Sequence, residues 1–389
     1  PAVVTTLNPL YGARTNEAFT TTLTADFKAT PNLVLSLGAI YNTVDLWYFM
    51  RLTTFTAVNR ALVVGGDPLR SFSSGTNNGR VAVNPQGINK KGKNITYTPR
   101  FEYKLGDLTV DGRFALAESE SWYSPNSWDA VYNTNSPTLN NVTFQASRSH
   151  HSSADWAVVQ TGGPDWYDGS GYTTPAIFVD DGRFAGTKIY SGEISGTLKT
   201  KGRLPLTWKT GIKSKREIRD FALERESLQY TYTGPGAGNG AWRNLQSQWP
   251  MDLSMLGASI RSSSGGDVFH PNTLEVYQLY REHPEYFTQT MTGTNYYNAF
   301  IANKKHYVED IHAAFLMATG SVGKTVLRAG LRYEETRGDS LEFNPLPGSQ
   351  VRAAGFPVTG GRATTVEGIQ YQYLSRPRVH RKGDYGEFF

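Results

Sequence analysis

Thr325-Val326-Leu327-Arg328-Ala329-Gly330-Leu331-Arg332-Tyr333-Glu334 is the stretch that decides the fold. Leu327, Ala329, Leu331 and Tyr333 fall on one face; Arg328, Gly330, Arg332 and Glu334 fall on the other. A period of two marks a strand, because successive side chains point to opposite sides. The stretch is the second arm of a hairpin from Val308 to Arg337, with Gly320-Ser321-Val322-Gly323 as its turn. In the first arm Ile311, Ala313, Phe315 and Met317 alternate with Asp310, His312 and Ala314. The reading makes the Leu327 and Ile311 sets one apolar face and leaves charge on the other. A soluble sheet resting on a core shares this pattern, so recurrence and spacing must decide.

The unit recurs three times upstream. Phe19, Thr21, Leu23, Ala25 and Phe27 alternate with polar residues, turn at Thr30-Pro31-Asn32, and return as Leu33, Leu35, Leu37, Ala39 and Tyr41. Ile95, Tyr97, Pro99, Phe101 and Tyr103 lead through Leu105-Gly106-Asp107 to Leu108, Val110, Gly112, Phe114 and Leu116. Tyr190, Gly192, Ile194, Gly196 and Leu198 lead through the turn at Lys201 to Pro205 into Leu206, Trp208, Thr210 and Ile212. Between the hairpins lie stretches of about 40 residues (Arg51 to Lys93), about 70 (Glu118 to Gly186) and about 80 (Glu226 to Lys304), and a last loop of about 40 follows Arg337. Residues Pro1 to Glu17 read as loop, and Pro271 to Phe287 has helical spacing with Pro271 at its start.

Short turns at one end and long connections at the other fit an outer-membrane barrel, with short periplasmic turns, long extracellular loops and strands alternating apolar-out with polar-in. Hydrocarbon cannot satisfy a strand edge, so a spanning sheet has to close. Arg100, Arg113, Lys209 and Arg328 would face a wet lumen, and Tyr41, Tyr97, Tyr103, Trp208 and Tyr333 suit interfacial girdles. The predicted fold is all-β: an antiparallel transmembrane β-barrel segment of about eight strands in four hairpins. Residues 1–389 are read as part of one barrel domain, with an N-terminal plug and C-terminal strands lying outside the chain.

Bulk properties narrow the alternatives. The 389 residues contain no cysteine, which removes disulfides, thiolate chemistry and Cys-ligated metals. The formal charge of +5 is mild and interspersed, so no nucleic-acid partner is expected. No apolar run reaches the roughly 18 residues of a transmembrane helix.

From this pattern and from its last residues, Lys382-Gly383-Asp384-Tyr385-Gly386-Glu387-Phe388-Phe389, the chain resembles TonB-dependent outer-membrane receptors. In that family a tyrosine, a few polar residues and an apolar pair precede a Pro-Ser that opens the next strand. The resemblance implies a plugged 22-stranded barrel, a place in the cell outer membrane, contact with outer-membrane lipid, and the TonB complex as partner. It implies uptake of a scarce solute, a small molecule or oligosaccharide such as a siderophore or cobalamin. A passive porin-like barrel and a secreted β-rich glycan-binding protein are the alternatives.

Motifs that imitate other chemistry have plainer readings. Ala318 to Thr325 fits a relaxed phosphate loop, but Val326 to Glu334 alternates as a strand where a helix is required. Gly234 to Gly240 reads as a loop tip, and Asp180-Asp181-Gly182 as a turn. His150, His151, Asp155, Asp165 and Asp168 lack the spacing of a metal loop. No catalytic constellation stands out, and neither enzyme activity nor a cofactor is expected. Candidate ligand contacts are the aromatics of the second long stretch: Trp122, Tyr123, Trp128, Tyr132, Trp156, Trp166 and Tyr167. Such side chains give rigid apolar area with a polar handle.

Overall fold

The computed structural model describes residues 4–67, 69–124, 132–134, 137–172, 177–180, 183–202, 205–223, 228–238, 242 and 251–388. Its frame is a wall of long antiparallel strands, each bonded to the next in sequence: β1 (Leu10–Thr30), β2 (Leu33–Ala57), β3 (Gly79–Leu105), β4 (Leu108–Ser124), β5 (Phe184–Thr200), β6 (Leu206–Ala222), β7 (Lys305–Val322), β8 (Thr325–Glu342) and β9 (Val379–Phe388). Among the described residues β1 and β9 do not pair, so the barrel segment is open. Tight turns join the strands at one end, two of them with a glycine in the left-handed region, Gly106 (φ 58°) and Gly323 (φ 60°). Every long connection leaves from the opposite end.

The register gives the wall one apolar face. Tyr97 stands opposite Leu116, Leu116 opposite Tyr190, Ile194 opposite Ile212, Leu316 opposite Leu331, and Tyr333 opposite Phe388. Among the described residues no second layer covers this part of the sheet: Leu327 is 60% and Leu331 72% exposed. Rings on the wall lie over neighbouring glycines. A Cβ on Gly112 would meet the Phe101 ring at 2.1 Å, and one on Gly192 the Phe114 ring at 3.0 Å. Pro99 breaks the ladder between β3 and β4 at that point, and pairing resumes in the same register at Arg100 opposite Arg113.

The apolar band has a sharp loop-side limit. Above Tyr41, Tyr97, Leu116, Tyr190 and Tyr333 the same face carries directly opposed ion pairs. Lys91 lies 3.5 Å from Asp45, Lys188 2.8 Å from Glu118, Arg216 3.8 Å from Asp310 and Lys382 4.0 Å from Asp339. Exposed pairs add little to stability, so their worth is positional: they mark where water begins. From Leu33 to Tyr41 the strand rises roughly 27 Å, or about 20 Å of height at a tilt near 40°, close to the ~25 Å band of a bilayer-spanning barrel.

The buried core sits at the loop end. There the apolar face of β2 and β3 continues as Phe55, Val81 and Val83, all fully buried under the loop strands Thr138–Ser147 and Ala157–Gly162. Phe55 meets Trp166 at 5.0 Å and Phe144 at 5.8 Å between ring centroids. The expected helix is present as Thr273–Glu282. The Asn272 side chain accepts from the Glu275 amide as its N-cap, Pro271 precedes the cap, and Val276 enters the core. A separate small core closes the last connection, where Val351 and Ile369 pack on Ile301. The buried Gln372 amide ties that connection together, donating to the Leu346 and Gly361 carbonyls and accepting from the Ala363 amide.

Several expectations change. Pro1 to Glu17 is not all loop, because β1 starts at Leu10; Arg51 to Lys93 is largely strand, because β2 runs to Ala57 and β3 starts at Gly79. These polar, Pro- and Gly-bearing ends gain their order from pairing with one another, which alternation does not record. The span from Glu118 to Gly186 likewise begins and ends as wall strand. The last loop contains two short helices and a ninth wall strand, β9, in the basic segment around Arg381 and Lys382. The face assigned to Ile311, Ala313, Phe315 and Met317 is also corrected. Leu316 pairs with Leu331, so Ala314, Leu316 and Ala318 share the apolar face, and the Ile311 set lies with Arg332 and Glu334. Phe315 fits there because Gly211 leaves room, its ring 2.7 Å from where a Cβ would stand. The relaxed phosphate-loop segment is the β7–β8 hairpin. Arg203 and Leu204 of the third turn, Asn239 and Gly240, and Asp181 and Gly182 lie outside the described residues.

An exposed leucine in water tolerates a lysine; a lipid-facing one does not. Leu331→Lys is expected to lower folding stability in lipid vesicles by about 2 kcal/mol, read by denaturant titration, whereas a water-facing site would show a change near zero.

Candidate functional site

The candidate ligand contacts are divided between two faces and the loop core. Trp122 and Tyr123 are neighbours on β4 and point to opposite sides. Trp122 stands opposite Lys91 on the apolar side above the band, and Tyr123 opposite Lys90 on the polar side. Trp166 is fully buried, with its indole N–H donating to the Asp267 carbonyl at 2.6 Å. Tyr167 is half-exposed, its ring lying over Gly266. Trp156 packs edge-on against Phe72 at 6.0 Å and under the Arg148 guanidinium at 4.7 Å. It lines a cleft of about 530 Å³ with Leu7, Pro9 and Leu253. Trp128 lies outside the described residues; Tyr132 pairs through its backbone with Gly87.

The structure adds residues that the loop reading passed over. On the polar face of the upper wall, Arg14 stands opposite Tyr48, and Lys90 opposite both Leu46 and Tyr123. With Leu10, Gly12 and Met50 they line a pocket of about 550 Å³. Arg183 is stacked on Tyr123, 5.2 Å from the ring centroid, and its carbonyl accepts from the Tyr123 amide at 2.9 Å. Burial raises the Tyr48 hydroxyl above the ordinary tyrosine range, and Tyr123 adds to the effect. The phenol therefore stays a donor at neutral pH. The signal for these residues was the even-numbered parity of β1 and β2, readable only once both strands are known to continue past Phe19 and Tyr41.

A polar knot fastens the loop layer to the wall. Thr53 Oγ1 of β2 lies 3.3 Å from His270 Nε2, and His270 Nδ1 has no partner among the described residues. Arg51 and Asp267 lie close by, and Asp267 Oδ2 accepts from the Met251 amide at 2.7 Å. Burial, with the Arg51 charge beside it, pushes the His270 imidazolium down to about 3. The ring is therefore neutral in the packed loop layer.

His150 and His151 stack at 4.0 Å in a surface turn, where the Asp155 carboxylate accepts from the Ser149 amide and the Asp155 amide donates to Ser153 Oγ. Asp165 and Asp168 accept backbone amides of their own turns. Among the described residues no group of three or more His, Asp or Glu is arranged to hold a metal ion.

Comparison with known proteins returns structures only. No family model matches the sequence, and no curated protein matches it. The chain is similar to the open form of the ferric-catecholate import receptor Fiu from E. coli K12, at 10% identity and a TM-score of 0.36, over 100% of this chain and 52% of that one. It is similar to the siderophore receptor PiuA from Acinetobacter baumannii at 9% identity and a TM-score of 0.32, over 99% of this chain and 46% of that one. The chain thus spans about half the length of either structure.

The knot makes loop closure pH-dependent. A histidine lowered to about 3 in the packed state but near 6.5 when released binds its proton preferentially in the open state, so stability is full above pH 6.5 and falls as pH drops toward 3. Between pH 6.5 and 5 the loss is about 2 kcal/mol. Hydrogen exchange of the loop layer should accelerate accordingly, and His270→Gln should flatten that slope.

Proposed function

We propose that the chain is part of the wall and the surface cap of an outer-membrane receptor that takes up a scarce solute. The observation carrying this reading is the bare apolar band. On one and the same sheet face, Phe55, Val81 and Val83 are covered by protein at the loop end, while Leu327 and Leu331 below the ion-pair row are covered by none of the described residues. A water-soluble sheet of this length would bury that lower face against a second layer, at about 25 cal/mol per Å² of apolar surface. Hydrocarbon supplies the same gain without protein.

With the band toward lipid, the polar face lines the lumen. Phe315 and the ion-paired cluster of Glu217 with Lys215 and Arg219 stand on that face, as does the pocket at Arg14 and Tyr48. A cap built from the first three long connections suits solute capture better than free passage, because it has its own aromatic core. Coupling to the TonB complex is proposed from the family resemblance of Lys382 to Phe389 alone. In β9 those residues place Phe388 beside Tyr333, 4.8 Å between rings, at the upper limit of the band.

The intact gene product is expected in the outer-membrane fraction, extractable only with detergent, and migrating differently in gels before and after boiling. Recovery as a monodisperse protein in detergent-free buffer would overturn the membrane reading.

A further inference from the structure

Cations on the polar face are handled in two ways. On β6 and β8 some are matched, Lys215 and Arg219 holding Glu217 at 2.6 and 2.5 Å and Arg332 holding Glu334, while Lys209, Lys213 and Arg328 are spread singly along the wall with no ion pair among the described residues. On β1 and β3, at the loop end of the wall, Arg14 and Lys90 have no ion pair among the described residues, and among those residues no carboxylate lines the pocket they share. Moving down β1 on the face of Arg14, the first acid is Asp26, roughly 40 Å of strand away.

The other parts of the pocket are equally one-sided. Tyr48 on β2 stands between the strands of the two cations, and Tyr123 on β4 flanks Lys90 on its far side. Leu46, Met50 and Leu10 give an apolar floor. At about 550 Å³ the space is that of a small-molecule site, which runs from about 300 to 1,000 Å³. The pocket therefore holds donors and positive charge at its rim and hydrocarbon at its base.

We infer that this pocket binds an anionic solute with an apolar body, its carboxylate or phosphate held between Arg14 and Lys90 and its body seated on Leu46 and Met50. This rests on the proposal that the polar face lines the lumen of an outer-membrane receptor, and it names the class of solute. Two cations left unmatched beside an apolar floor gain charge-assisted hydrogen bonds from an anion, which a neutral solute of the same shape does not offer. The planar Arg14 fork suits a two-oxygen acceptor, and Lys90 acts as a point charge. The tyrosine hydroxyls add hydrogen-bond donors to the pocket.

The test uses the intact gene product in detergent, with three probes of one shape: 2-naphthoate, 2-naphthyl phosphate and the neutral 2-naphthylmethanol. Binding is read by calorimetry at low and high salt. Expected is binding of at least one anion at least tenfold tighter than the alcohol, weakened by salt, and lost at least tenfold in the double variant Arg14→Gln, Lys90→Gln. Anion and alcohol binding alike, no measurable anion binding at millimolar concentration, or an unchanged affinity in the double variant would each overturn the inference. Gel migration before and after boiling is recorded on the same samples. A folded, membrane-extracted protein with no anion preference overturns the solute class alone; a protein that never enters the membrane overturns the receptor reading.

Discussion

One constraint governs the structure: an apolar sheet face has to lie against something other than water. At the loop end the chain meets that need itself, folding Trp166, Phe144 and Val142 onto Phe55, Val81 and Val83. Lower down it offers nothing, although the strands run on unbroken. The boundary between the two regimes is drawn in side chains, tyrosines first and then cross-strand ion pairs such as Lys188 with Glu118. A sheet that changes from covered to bare along single strands is built for two surroundings at once.

The wall was legible in the sequence wherever alternation was clean. Leu327, Leu331 and Tyr333 disclosed β8, and short turns against long connections disclosed the barrel character. Alternation failed in β7 because both faces there carry apolar residues: Phe315 and Met317 on one, Leu316 and Ala318 on the other. Only the partner strand decides which set faces out, and Leu316 opposite Leu331 settles it. The same ambiguity hid the ends of β2 and β3. Gly, Pro and Asn residues there read as loop, yet their backbones pair residue by residue from Tyr41 opposite Ile95 to Ala57 opposite Gly79.

The aromatic loop residues show the limit of composition as a guide. A tryptophan in a polar stretch looks the same on paper whether it fills a core, as Trp166 does, or rests half-covered beside a cleft, as Trp156 does. The polar-face pocket was harder to see, since Arg14, Tyr48 and Lys90 come from three strands and have no local motif in common. They meet because of the stagger between β1, β2 and β3, a property of pairing rather than of any one segment.

The glycines beneath the rings bear on the shape of the wall's apolar face. Phe101 reclines over Gly112 and Phe114 over Gly192, each ring roofing a gap in the neighbouring strand. A ring laid flat in this manner levels the apolar face, leaving few ridges between strands. Each phenylalanine also spans two strands at once, pinning their relative sliding as a tile pins two battens. The smoothness of the outer surface and the fixed stagger of the strands are then two outcomes of one arrangement.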